Sequence, residues 1–240
     1  MFIGMGMPIP DLANLPGVSR PGASTGPTVS LIENQYSMMF DAPTNTMFDL
    51  SESLSLGTSN TLCFWLKRNG ASTTTTNYTL FGEPSQSSYR SIYISFQMWA
   101  TYIWAYTPTG SQAQFNLGGY HSSASPLYAN NSNWNHYCIT REGSEVILYF
   151  NGIEVTASSN NFSSTEAQKF RFIGGNYNSS ASGGSEAFDG RLDEVGVFNY
   201  PLSQKAAKLI YDSSKDNPGK TADLSTLSTG ASTTWYRMGD

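Results

Sequence analysis

The sequence predicts an all-β protein: a two-sheet antiparallel β-sandwich of the jelly-roll type, with one short helix and an extended N-terminal arm. Three observations carry that reading. Runs rich in aromatic and β-branched residues recur along the chain, parted by turn signals about every 8–12 residues, the spacing of a sandwich or jelly roll. Only 13% of the residues are charged, about half the usual quarter, and Ser, Thr, Asn, Gly and Tyr fill the polar positions instead. Low charge by itself warns of disorder, but 13% aromatic residues supply the apolar surface that a core requires. A chain of 240 residues is long enough for one undivided domain of this class. At that length roughly 70–75% of the unfolded surface can leave water, so core size is not limiting.

The elements follow in order. Residues 1–28 hold Pro8, Pro10, Pro16, Pro21 and Pro27 with glycines between them, and show neither helical nor strand periodicity. Such an arm makes no core of its own; it stays disordered in isolation or orders against a partner. Residues 29–214 carry the sandwich. "TVSLIENQYSMMFD" is β-prone, and "LCFWLKR" has apolar residues on both phases, as a central strand covered on both faces does. "YRSIYISFQMWATYIWAYT" reads as two strands. "WNHYCITREGSEVILYFNGIEV" reads as successive hairpins, turning at "REGS" and at Asn151–Gly152, a strong hairpin signal. "KFRFIGG" and "RLDEVGVFNY" complete the set. In "PLSQKAAKLIYDSS", Ser203 is an N-cap for a short helix whose stripe of Ala206, Leu209 and Ile210 would pack on the sandwich edge. Residues 215–240 form a C-terminal segment whose "TTWYRM" is a candidate closing strand. There is no internal repeat of solenoid period.

Composition excludes several functions. Net charge is −5 and no Lys/Arg run occurs, so nucleic acid is not an expected partner. No apolar run approaches the ~20 residues that span a bilayer, and "MFIGMGMPIP" lacks the basic region and unbroken apolar core of an export signal. Cys63 and Cys138 are too few for a disulfide framework. The expectation is two buried reduced thiols, with a bridge between neighbouring strands as the alternative.

Enzyme chemistry finds little support. Of the two histidines, His121 and His136, the second lies in "WNHYCIT" as an ordinary strand residue. Sandwich glycosidases need two carboxylates flanking the bond at a set separation. Glu142 and Glu145 bracket a turn, and Asp193 and Glu194, as consecutive strand residues, point to opposite faces. No nucleophile elbow and no zinc or EF-hand spacing is present. No cofactor is expected, although Asp41, Asp189 and Asp193 with backbone carbonyls offer an assembled calcium site. Glycan contact would use Tyr78, Tyr89, Tyr120, Tyr128 and Tyr177, which lie in loop-like Ser/Asn/Gly-rich segments. The sequons at Asn77, Asn130, Asn161 and Asn178 are expected by chance in this composition. Asp193 poses its own question. Counting back in twos from Val197 and Val195 sets its carboxylate on the core face.

The succession "YSMMFDAPTNTMFDL", "TLCFWLKRNG", "YTLFGEP", "WNHYCITREGSEVILYFNGIEV", "RFIGG" and "FDGRLDEVGVFNYPLSQKAAKLIYD" resembles the laminin-G-like, concanavalin A-like lectin/glucanase superfamily, in order from about Tyr36 to Asp212. The resemblance implies the concanavalin A-like sandwich. It also implies that Asp193 sits at a strand start and hydrogen-bonds nearby backbone as a structural clamp, sometimes close to a calcium. Since this fold hosts lectins, adhesins, hydrolases and structural modules, it does not choose among functions. "PDLANLPGVSRPG" and "WYRMGD" further resemble segments flanking such domains in tailed-bacteriophage structural proteins. The expectation is a non-enzymatic virion protein of capsid or tail, a decoration, head-fibre or tail-associated part anchored by its arm. It would be homo-oligomeric, assembled in the host cytoplasm and exposed by lysis, with virion proteins and host surface glycans as partners. The alternative is a carbohydrate-binding lectin or adhesin.

Overall fold

The computed structural model describes residues 26–44, 46–70, 75–84, 90–97, 100–118, 127–129, 131–176, 186–217 and 219–238. In chain order the strands are β1 (Leu31–Glu33), β2 (Met38–Phe40), β3 (Phe48–Gly57), β4 (Ser59–Arg68), β5 (Thr76–Gly82), β6 (Arg90–Phe96), β7 (Thr101–Tyr106) and β8 (Gln112–Asn116). There follow β9 (Trp134–Glu142), β10 (Glu145–Phe150), β11 (Ile153–Val155), β12 (Ser159–Asn160), β13 (Gln168–Ile173) and β14 (Gly190–Phe198). Helix α1 (Gln204–Lys215) precedes β15 (Lys220–Ala222) and β16 (Thr234–Tyr236).

Two seven-stranded antiparallel sheets stack face to face. The back sheet runs β11-β10-β9-β4-β14-β16, with β2 also paired to β14, and the front sheet runs β12-β8-β7-β6-β5-β13-β3. A two-stranded ribbon, β1-β15, lies apart from both. Alternation decides what fills the space between. Phe64 and Leu66 of β4, Tyr137 and Ile139 of β9, Ile92, Ile94 and Phe96 of β6, and Ile103 of β7 meet in one cluster. Burying each such side chain is worth about 1.5–3 kcal/mol. Hence the all-β sandwich inferred from the sequence is the fold.

Strand β4 is central, flanked by β9 and β14, and its second face is covered by α1. Ala206, Ala207 and Ile210 of the helix pack over Cys63, Cys138, Tyr149 and Phe198, so α1 lies on the outer face of the back sheet rather than on the sandwich edge. An edge position would leave this row of apolar side chains in water. Ser203 caps the helix, its Oγ accepting the N–H of Ala206 at 3.3 Å. The turn at Asn151–Gly152 has φ of +50° and +75°, as a hairpin of right-handed twist requires.

The cysteines correct an expectation. Cys63 and Cys138 are directly opposed across β4 and β9, Cα atoms 4.0 Å apart, and form a disulfide rather than two reduced thiols. Each cysteine's buried strand is legible from its own run of residues; the register that sets the two opposite each other is not.

Candidate functional site: the outer face of the front sheet

Period-2 alternation that sends Ile92, Ile94, Ile103, Ala105, Ala113 and Phe115 inward sends Tyr93, Ser95, Tyr102, Trp104, Tyr106, Gln112, Gln114 and Asn116 outward. Cross-strand register makes them a pattern. Trp104 sits opposite Tyr93 on one side and Gln114 on the other, while Tyr102 is opposite Ser95 and Asn116. The ring centroids of Tyr93 and Trp104 are 5.2 Å apart, and those of Tyr102 and Trp104 are 5.5 Å apart. Trp104, Tyr102 and Tyr106 are half-buried, leaving ring surface in solvent, whereas Tyr93 and Ser95 on the same phase are 8% and 2% exposed.

One end of the row is locked by charge. Arg90 stacks on Tyr93 at 4.3 Å and pairs with Glu186, whose Oε2 also accepts Thr79 Oγ1 at 3.0 Å. Burial, reinforced by the Glu186 carboxylate, pushes the Tyr93 hydroxyl up to about 12. Burial likewise raises Tyr106. Both phenols therefore stay neutral donors at physiological pH. The face offers flat apolar rings beside neutral amides and hydroxyls, and among the described residues no ionised side chain lies between Trp104 and Tyr102.

Of the tyrosines singled out for glycan contact, Tyr78 is not in a loop. It lies on β5, 9% exposed, edge-on to Phe188 in the core, because Thr79 takes the outward phase. Tyr128 is half-buried ahead of β9. Tyr89, Tyr120, Tyr177, His121, Asn130 and Asn178 lie outside the described residues. Asn77 is exposed on β5, and Asn161 Oδ1 accepts the Gln112 N–H at 2.8 Å. Sequence reasoning missed Trp104 and Tyr102 because it sought exposed rings in loops. The alternating "TYIWAY" was the signal that could have found them.

The acids fall elsewhere. Glu142 and Glu145 face each other across the Gly143–Ser144 turn, both exposed. Asp41 accepts Thr44 Oγ1 and Asp189 accepts Asn69 Nδ2; among the described residues no three His, Cys, Asp or Glu side chains gather as a metal-holding group. His136 is buried under α1 beside Trp65, and desolvation lowers its pKa to about 3.

Asp193 and Glu194 overturn two readings at once. The pairing with β4 jumps from Asp193–Trp65 to Gly196–Cys63, one extra residue on β14, and Glu194 takes φ +52°. This bulge breaks the count in twos: Leu192, Val195 and Val197 face the core, while Asp193 shares the outer face with Trp65. The two carboxylates do not point to opposite faces. Asn34 Nδ2 donates to Asp193 Oδ2 and to Glu194 Oε1, each at 2.9 Å. Asp193 Oδ1 accepts the Glu194 N–H at 2.8 Å, and Trp235 Nε1 donates to Glu194 Oε2 at 2.6 Å. So the clamp sits within β14 at its bulge, not at a strand start.

A β-sandwich with a ring-and-amide sheet face, bearing one capped helix on the opposite side, is a lectin-like module. A family model described as the concanavalin A-like lectin/glucanases superfamily matches residues 43–208, and the chain belongs to that superfamily. No curated protein matches the chain. Among solved structures, a heptameric SAP-like pentraxin from Limulus polyphemus is similar at 13% identity, covering 90% of this chain and 93% of that one with a TM-score of 0.53. A candidate carbohydrate binding protein from Bacteroides ovatus is 13% identical, covering 87% and 51% with a TM-score of 0.48. The binding domain of Paraclostridial Mosquitocidal Protein 1 is 16% identical, covering 77% and 47% with a TM-score of 0.46. This chain spans about half the length of the latter two.

Proposed function

We propose that the chain is a non-enzymatic carbohydrate-binding module whose binding surface is the outer face of β6–β8. The observation that carries the reading is the adjacent pair of half-buried rings Trp104 and Tyr102, backed by buried Tyr93, with Gln114 and Asn116 in register beside them. Sugar rings present C–H faces to an aromatic plane and hydroxyls to amides, and this face supplies both without desolvating an ion. The non-enzymatic part is supported by the acids. Glu142 and Glu145 flank a hairpin turn, and Asp193 and Glu194 are both engaged by Asn34. Trp104→Ala should weaken retention on insoluble polysaccharide at least tenfold, or about 1.4 kcal/mol, with an unchanged thermal midpoint. Affinity electrophoresis across a polysaccharide panel reads this directly; equal retention of wild type and variant on every polymer overturns the reading.

For biological setting we propose the surface of a tailed-phage particle, with residues 1–27 as the anchor and homo-oligomers as the working form. What supports it is the composition of that leader, and its point of attachment. Residues 1–25 lie outside the described residues; the described chain starts beside the C-terminal segment, where the Thr28 N–H donates to Ser228 Oγ at 2.8 Å and Val29 packs with the α1 cluster on the back sheet. Deleting residues 1–27 should abolish incorporation into particles while leaving polysaccharide retention intact. Incorporation of the truncated chain at wild-type level removes this setting.

A further inference from the structure

The back sheet carries a second concavity that the proposed binding face does not explain. Helix α1 has 12 residues and stops at Lys215, so the outer face of the back sheet beyond it is left to the β1-β15 ribbon. Between ribbon and sheet opens a cleft of about 290 Å³. Buried Trp65 and Asp193 line it from the sheet, residues 34–37 line it on one side and Ser214, Asn217, Lys220 and Thr221 on the other, and Trp134 completes the lining. Trp65 is only 9% exposed and is held by stacking on Tyr211 at 5.8 Å, so the floor is rigid. Tyr36 is 64% exposed, an unusual state for a large ring with no packing duty. The bulge at Glu194 is what turns Asp193 toward this space.

We infer that this cleft is a second carbohydrate site, one that takes the terminal ring of a glycan. The inference rests on the glycan-binding reading above and extends it. Its lining mixes rings with short polar groups of both hydrogen-bonding senses: Lys220 and Asn217 carry donors, while Asn34, whose amide protons are held by Asp193 and Glu194, keeps a buried Oδ1 without a partner in the fold as an acceptor. That combination suits a polyhydroxylated ring with one apolar face. A membrane anchor would want a continuous apolar lining, and a phosphate would not tolerate Asp193 at the base. Shape separates the two sites. The front face is an open sheet and passes the interior of a chain, whereas the cleft, at about 290 Å³, has room for a short glycan end and not for a long chain. A module with one site on each face of the sandwich bridges two glycans, and tethering raises its apparent affinity for a dense glycan surface well above that of either site.

The test uses the full chain and its Trp134→Ala and Trp104→Ala variants on an array of linear polysaccharides and of short oligosaccharides with defined terminal sugars. Asn217→Ala is a second cleft variant in case Trp134→Ala fails to fold. The cleft variants should lose at least tenfold in affinity for short oligosaccharides and keep their polysaccharide binding; Trp104→Ala should show the reverse. Short-oligosaccharide binding that survives both cleft variants, or that disappears in Trp104→Ala, overturns the second site and leaves the front-face reading standing. If wild type binds polysaccharides but no short oligosaccharide, the second site alone falls. If wild type binds neither, both readings fall.

Discussion

Two carboxylates on consecutive residues, Asp193 and Glu194, are only 7% and 3% exposed. Burial of an ionised acid is tolerable only where donors converge on it, and here an amide, an indole N–H and a backbone N–H do so. Asp193→Ala leaves the Glu194 N–H without its acceptor and should lower stability by about 1–3 kcal/mol, read as a shift in the urea midpoint. A shift under half a kcal/mol would mean that the bulge holds itself. His136 makes the second prediction. Its imidazole is buried with Nδ1 unpartnered, and burial holds its folded pKa near 3 against an ordinary 6.5. The unfolded chain therefore takes up a proton below pH 6.5 that the folded chain refuses until about pH 3. Stability from this residue is complete above 6.5 and falls by about 1.4 kcal/mol per pH unit through that window. Comparing denaturation of wild type and His136→Phe from pH 7 to pH 4 isolates the effect, because other acids titrate alike in both; parallel curves would refute it. At this scale the sequence was legible for identity and not for direction. A strand residue's face follows from parity, and one inserted residue in β14 reverses parity without any mark in "RLDEVGV".

Strands and helix were far more legible, because their signals are local. "NG" set a hairpin, Ser203 set a helix start, and doubled apolar phases set β4 at a sheet centre. What stayed hidden is how loops are held between elements. Arg141, 1% exposed at the end of β9, is the plainest case. Its guanidinium donates to the carbonyls of Gly143, Gly57, Ser163 and Glu166, and stacks on Phe162 at 4.6 Å. One side chain thus ties the β3–β4 turn, the β9–β10 turn and the 163–166 loop together, with partners up to 84 residues away. Nothing in "ITREGSE" separates this Arg from a solvated one beside a hairpin. Arg141→Ala strands several buried carbonyls and should cost about 3 kcal/mol or more. Arg141→Lys should recover only a minor part of that, since a single ammonium cannot reproduce the planar fork. Thermal melts of the two variants check the order; a lysine variant as stable as wild type would assign the effect to charge alone.

For the molecule as a whole the disulfide matters most, because it joins the centre of the back sheet to itself and closes a loop with 75 residues of sequence separation. That loop contains β5, β6, β7 and β8, the strands that build the proposed glycan face. Cross-linking its ends removes conformational freedom from the unfolded chain, worth about 4 kcal/mol on the chain-entropy account. Because both cysteines are buried at 0–1% exposure in paired strands, the fold itself holds the two thiols opposed. Two expectations follow from that geometry. Protein purified under reducing conditions should titrate two thiols after denaturation and none after treatment with oxidised glutathione. Oxidation should raise the unfolding free energy by about 4 kcal/mol in wild type and leave the Cys63→Ala/Cys138→Ala double variant unchanged. Retention on polysaccharide should be equal in reduced and oxidised protein, since the bond lies on the far sheet and acts chiefly on the unfolded state. Two thiols persisting after oxidation would overturn the pairing, and a loss of retention on reduction would show that the bond shapes the native front face as well.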